Sequence, residues 1–195
     1  MLKVALTGNI ASGKSQVEQY LNSFGIPTID SDKIVLNLYT DIDFAQKLQN
    51  NFPNYDIISD KKIDKQKLAK FVFQDKKFKS NLENFVHPYV LKEIQNFCTK
   101  NSDKPLVIVA VPLLFECGWQ KYFDKIILVT AEEKTRLQRL LTRNNLFLTD
   151  AQNRIDAQLK QETKIAFSDI IIENDGTLAD LKIKTQQILG ILNEQ

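Results

Sequence analysis

The sequence predicts an α/β fold of three layers, with a mainly parallel five-stranded sheet between helices, and three observations carry that expectation. Five short β-branched or aliphatic runs recur at 4–7, 26–30, 106–111, 125–129 and 169–173. Most are apolar on both faces, as strands buried inside a parallel sheet are. Segments of helical spacing separate them, which is the rhythm of a doubly wound sheet. The first run leads into "GNIASGKS", a turn with two glycines and a lysine, before a helix begins.

Each element has its own local reason. Val17, Leu21 and Phe24 recur at i, i+4 and i+7, so a first helix is expected there, with Gly25 at its C-terminal stop. Between 41 and 101 the strand signal fades, and Leu68, Phe71, Val72, Phe78, Leu82, Phe85, Tyr89 and Ile94 give helical periods broken near Asp75 and at Pro88. That stretch reads as a helical insertion. A second helical region runs from Glu132 to about Gln161, with Arg136, Arg139, Arg143 and Arg154 on its polar face. "RNNLFLTD" divides it into a helix pair, with Thr149 or Asp150 as the next N-cap. The expected organisation is one unit over 1–195: a core of 1–40, 102–135 and 162–195, the insertion at about 41–101, and a small helical lid at about 136–161.

Bulk properties restrict the function. With 26 basic and 24 acidic side chains the net charge is +2, too small to indicate a nucleic-acid-coating surface, so any anion site is local. The N-terminus lacks the pattern of a secretory signal, and no apolar run is long enough to span a bilayer, so a cytoplasmic location without membrane contact is expected. Cys98 and Cys117 have no metal-binding spacing and read as reduced core thiols. A monomer or weak homo-oligomer is the expected state.

Gly8, Asn9, Ile10, Ala11, Ser12, Gly13, Lys14 and Ser15 form a complete G-x-x-x-x-G-K-[ST] phosphate-binding loop. By average composition the pattern arises by chance in roughly one chain in a hundred of this length. Its context, an apolar strand before and an amphipathic helix after, is the one in which backbone N–H groups and a helix N-terminus surround phosphate oxygens. Lys14 is expected at the β- and γ-phosphates of ATP, and the Ser15 hydroxyl on Mg²⁺. The [NT]-K-x-D and D-x-x-G segments of a GTPase are absent, as is any adjacent glycine pair, so a small-molecule kinase is favoured over a switch or a transport ATPase.

Such a kinase positions its substrates, neutralises charge and orients the acceptor hydroxyl. "IDSDKI" puts Asp30 and Asp32 at the carboxyl edge of the sheet, where open α/β sheets bind ligands. If the strand persists, alternation points both carboxylates the same way, and either can accept a proton from an acceptor hydroxyl. Arg136, Arg139 and Arg143 share one helix face. Arg136 reads as an ordinary solvated residue, whereas Arg139 and Arg143 suit a lid that closes over ATP and excludes water.

From end to end the chain resembles the dephospho-coenzyme A kinase family. The resemblance is carried by "ALTGNIASGKS", "GIPTIDSDKI", "NFVHPYV", "VPLLFECG", "LQRLLTRN", "RIDAQ" and "SDIIIENDGT", in the family's order. It implies transfer of the ATP γ-phosphate to the ribose 3′-hydroxyl of dephospho-CoA, with Mg²⁺, on a P-loop NTPase fold whose helical insertion binds substrate. It further implies Asp32 as the base with Asp30 in support, Arg139 and Arg143 as lid arginines, and Asn174 to Gly176 near the adenine of ATP. Lys65, His87, Leu113 and Glu116 fall at positions expected to meet the acceptor, and for Glu116 a water-mediated contact to Mg²⁺ is the alternative. The chain departs from the family pattern at Gln16, beside the loop, at Lys65, where arginine is frequent, and at Ala110, where many members have Asp. Two other readings stay open: a nucleoside or nucleotide kinase of the same superfamily, and a non-catalytic nucleotide-binding regulator.

Overall fold

A computed structural model of the chain describes residues 1–144 and 146–193, with the side chains of 143, 144 and 193 outside the description. The described residues divide into two compact units, 1–30 with 100–195 and 31–99.

The first unit is built on strands β1 (Leu2–Gly8), β2 (Thr28–Asp30), β5 (Leu106–Ala110), β6 (Lys125–Thr130) and β7 (Ile170–Glu173). They form one sheet of order β2-β5-β1-β6-β7, with every pairing parallel. All five residues of β5 are buried, which is why that run is apolar throughout rather than alternating. Helices α1 (Lys14–Ser23) and α9 (Leu178–Asn193) bring Val17, Leu21, Leu181, Ile188 and Leu192 onto Val4, Leu6, Ile108, Ile127, Val129 and Ile172 in a single apolar cluster. Helix α1 stops before Gly25, as its sequence predicts.

The helix pair expected after the fourth of these strands is present as α6 (Glu133–Asn144) and α7 (Leu148–Asp156), followed by the short α8 (Gln161–Ile165). Leu140, Ala151 and Ile155 hold the pair together and pack against Ile10 and Ala11 of the glycine-rich turn. The α7 N-cap is Phe147 rather than Thr149 or Asp150, and Asp150 instead lies in the first turn. There its charge complements the helix dipole without capping a backbone N–H.

The second unit contains α2 (Ser31–Thr40), α3 (Ile42–Asn51), the two-residue strands β3 (Ile58–Ser59) and β4 (Lys62–Ile63), α4 (Lys65–Gln74) and most of α5 (Lys76–Lys100). Its start at residue 31 is ten residues earlier than the sequence boundary of 41, because α2 packs with α3 and β4. The β3–β4 hairpin turns through Asp60 and Lys61, both at positive φ, which the helical reading of this stretch did not anticipate. Asp75 does break the helical run: its carboxylate accepts from the N–H groups of Lys77 and Phe78 and opens α5. Pro88, expected to break it again, lies inside α5. A proline deletes one helical hydrogen bond, but Phe78, Leu82, Val86, Val90, Ile94 and Cys98 bury an unbroken stripe through it. Aromatic rings fill the interior, with Phe78 at 5.1 Å from Phe52 and 4.3 Å from Tyr55 between ring centroids.

Candidate active site

The carboxyl ends of β1, β2 and β7 bring the first unit's candidate residues together. Beyond β1 the chain turns through Asn9–Ser12, where Ser12 N–H donates to the Asn9 carbonyl at 3.0 Å. Ala11 takes φ 61° and Gly13 φ 100°, left-handed values that only the glycine adopts without strain. A β-carbon on Gly13 would collide with the Asn174 amide, and one on Gly8 would lie 2.7 Å from the Val129 carbonyl oxygen. Gly13 is also the N-cap of α1 and offers no side-chain acceptor, so the first turn of that helix has no internal cap. Backbone N–H groups curled about a helix N-terminus are an anion receptor. Ser15 is exposed on that first turn.

Three side chains brace this loop. Asn174, just beyond β7 and 5% exposed, donates from Nδ2 to the Ser12 carbonyl at 2.7 Å. Arg139 of α6 donates from Nη1 to the Ala11 carbonyl at 3.2 Å and from Nη2 to the Asn174 carbonyl at 2.8 Å. Lys14 Nζ lies 3.3 Å from Asp30 Oδ2 and 3.9 Å from Glu18 Oε2. Asp30 at the end of β2 therefore places its charge beside the loop lysine, as edge placement predicts.

A cleft of about 510 Å³ opens next to the loop, lined by Ile10, Gly13, Gln16, Arg139, Arg154, Asn174 and Leu178. Gln16, the departure from the family pattern, is on its wall. Gly176 follows Asn174, and a β-carbon there would come 2.9 Å from Asp180 Oδ2. Arg143 belongs to α6, but its side chain is outside the described residues.

The strand on which the alternation of Asp30 and Asp32 depends does not persist. Strand β2 ends at Asp30, and Asp32 is in the first turn of α2. Arg136, expected in solvent, is 4% exposed: its Nε donates to the Ala131 carbonyl at 3.2 Å, and Glu133 lies 3.8 Å away. Burial pushes its pKa down, opposed by Glu133 and Glu162. Leu113 is 44% exposed in the turn after β5. Glu116, three residues on, has its Oε1 engaged by the Leu159 N–H at 3.3 Å and by the wholly buried Lys164 Nζ at 2.8 Å.

In the second unit, Lys65 at the start of α4 and His87 in α5 share a separate, mainly apolar cleft of about 410 Å³ with Val35, Leu36, Tyr39, Leu68 and Phe73. Burial raises the Tyr39 pKa to about 12 and lowers that of His87, where Glu83 opposes the shift.

Sequence reasoning did not single out Lys164, Leu159 or Gln158 as site residues. Gln158 had a signal, since it closes the "RIDAQ" motif. Lys164 had none, because a lysine on a short helix reads as solvated.

Known proteins resemble this chain in sequence and in fold. The profile of the dephospho-CoA kinase family matches residues 2–180. A dephospho-CoA kinase from Fusobacterium nucleatum is 34% identical over 184 residues, covering 94% of this chain and 95% of that one. A crystal structure of a Thermus thermophilus protein superposes with a TM-score of 0.85 at 31% identity, covering 98% of this chain and 97% of the other. The dephospho-CoA kinase from Campylobacter jejuni follows at a TM-score of 0.67 and 28% identity, over 97% and 96% of the two chains. With a phosphate loop at the carboxyl edge of a parallel sheet and a family match over nearly its whole length, this chain belongs to the dephospho-CoA kinase family.

Proposed function

We propose that the chain transfers the γ-phosphate of ATP to the ribose 3′-hydroxyl of dephospho-CoA, giving coenzyme A and ADP. The observation that carries this reading is the braced loop at Gly8–Ser15, in a chain that matches the family from residue 2 to residue 180. The bond formed joins the 3′-oxygen to the γ-phosphorus, and the bond broken joins that phosphorus to the β–γ bridging oxygen. The hydroxyl proton goes to a carboxylate.

In this reading the loop N–H groups and Lys14 hold the β- and γ-phosphates, and Asp32 takes the 3′-hydroxyl proton while Asp30 keeps Lys14 in place. Arg139, Arg143 and the lid at about 136–161 close over the triphosphate, with the adenine in the cleft beside Asn174 and Gly176. The cleft of the 31–99 unit suits the pantetheine arm of the acceptor, an extended and largely apolar chain, and Lys65 and His87 give it polar margins. Leu113 flanks the acceptor, and Glu116 contributes through the segment it holds.

Among the described residues no group of three or more His, Cys, Asp or Glu is placed to hold a metal. Mg²⁺ binds through few protein oxygens, and Ser15, exposed on the first turn of α1, is the residue that would hold it beside the phosphates. When bound, Mg²⁺ neutralises charge on the phosphates. No helix among the described residues is long and apolar enough to cross a membrane, and we place the protein in the cytoplasm as a monomer or weak homo-oligomer without nucleic-acid partners.

The test is a coupled ADP-release assay offering dephospho-CoA, adenosine, AMP and shikimate as competing acceptors. Dephospho-CoA is expected to give the fastest release; no ADP above the acceptor-free blank, with turnover on another acceptor, would sink the assignment. Asp32→Asn is expected to abolish transfer while ATP still binds, and unchanged turnover would remove Asp32 from the base role.

A further inference from the structure

We infer that Gln158 is a positioning residue for the phosphate loop, clamping its entry at Asn9 and Ile10 from the segment that follows α7. The Ile10 backbone N–H donates to Gln158 Oε1 at 2.7 Å, and Asn9 Nδ2 donates to the Leu159 carbonyl at 2.9 Å. These two bonds join adjacent residues of the loop to adjacent residues about 150 positions later in the chain. They act where the chain leaves β1, immediately before Ala11 at φ 61°. A non-glycine residue keeps a left-handed conformation only where its surroundings over-determine it, and the clamp supplies that restraint on one side while Arg139 supplies it on the other.

The clamp has its own anchor. Leu159 N–H donates to Glu116 Oε1 at 3.3 Å, and the Lys164 ammonium, fully buried, lies 2.8 Å from the same oxygen. An ammonium without access to water holds its carboxylate partner tightly, because separating the two would leave a buried charge uncompensated. Lys164, Glu116, Leu159 and Gln158 thus form a continuous chain of contacts from α8 to the phosphate loop. It gives a physical task to the Glu of "PLLFE" and to the Gln of "RIDAQ", outside the chemistry itself.

This inference rests on the loop being a triphosphate site and is independent of the acceptor. Gln158→Leu keeps the bulk of the side chain and removes the acceptor, leaving the Ile10 N–H unpaired. Losing one such part-buried bond is expected to raise the Kd and KM for ATP roughly tenfold. Affinity for dephospho-CoA is expected to stay the same, and kcat to fall by less than about threefold. ATP binding is read by titration without acceptor. An unchanged ATP Kd, or equal losses in ATP affinity, acceptor affinity and kcat, would overturn the inference. Hydrogen exchange of the Ile10 amide in the unsubstituted, nucleotide-free protein gives a readout that needs no variant to fold: it is expected to be slow, and exchange at the rate of an open loop amide would equally overturn it. Should the parent bind ATP yet release no ADP with dephospho-CoA, the acceptor assignment would fall and the clamp would stand.

Discussion

The two units of this chain are held together by different chemistry. In the sheet unit the interior is aliphatic, with Val4, Leu6, Ile108, Ile127 and Val129 at 0% exposure, and bonds from Arg139 and Asn174 brace the phosphate loop at the carboxyl edge. In the 31–99 unit the interior is aromatic, and its polar contacts are short-range caps such as Asp41, Asp64 and Asp75 on nearby N–H groups. Parallel strands fix the spacing of their carboxyl ends through the ladder, so residues far apart in sequence meet there with little freedom. A helical cluster packed by rings is held instead by large buried areas and edge-to-face ring pairs, with no strand ladder to set a register. In the proposed reaction the first kind of support would serve the donor and the second the extended acceptor.

The largest expected effect separates the units by chemistry. Lys14→Met removes the loop ammonium that lies 3.3 Å from Asp30 while keeping a long side chain. Turnover is expected to fall by about 10²–10³-fold, the scale of losing one electrostatic donor to a transition state. The urea midpoint of unfolding should move little. A variant with full ADP release would break the donor half of the comparison.

Phe78→Ala tests the other half. Phe78 is 1% exposed and meets Phe52, Tyr55 and Phe71 within 6 Å between ring centroids. Deleting the ring is expected to cost about 3–5 kcal/mol of stability, read from urea unfolding. Below the transition, ATP affinity should match that of the parent, because the ring cluster belongs to the 31–99 unit. A loss under about 1 kcal/mol would mean that the aromatic interior does not hold this unit together.

The same contrast explains what was legible in the sequence. Strands β1, β5 and β6 announce themselves because burial on both faces removes most polar residues from the run, whereas β2 and β7 are less buried, and "GNIASGKS" is legible because its glycines let the backbone curl. The helical insertion is legible as a region but not at its edges. Assigning residues 31–40 to it required knowing that α2 packs with α3, a contact that no local pattern encodes. Pro88 misleads because its local penalty is visible in the sequence while the stripe from Phe78 to Cys98 that outweighs it is spread over the whole helix. Arg136 and Lys164 mislead in the opposite sense: charged residues on helices are usually solvated, and only the folded chain brings Glu133 and Glu116 to them.

The smallest effect concerns pH and sharpens the description of the 31–99 unit. His87 is the only histidine in the chain, so a stability change near neutrality can be assigned to it with little interference. Burial lowers its pKa below the ordinary value of 6.5, and the Glu83 carboxylate opposes that shift only in part. The unfolded chain therefore takes up the proton at a higher pH than the folded one. Above about pH 7 both forms are neutral, and His87 contributes no pH dependence. As the pH falls through the ordinary histidine value and then through the lower folded value, the unfolded state gains the proton first, and stability declines. Urea midpoints at about pH 7.5, 6 and 5 should show that decline in the parent, and His87→Gln should flatten it, since glutamine does not titrate. Equal slopes in the two proteins would mean that the imidazole gains no less from protonation in the folded state than in the unfolded chain, and the cleft wall at His87 would then be better solvated than its burial in α5 implies.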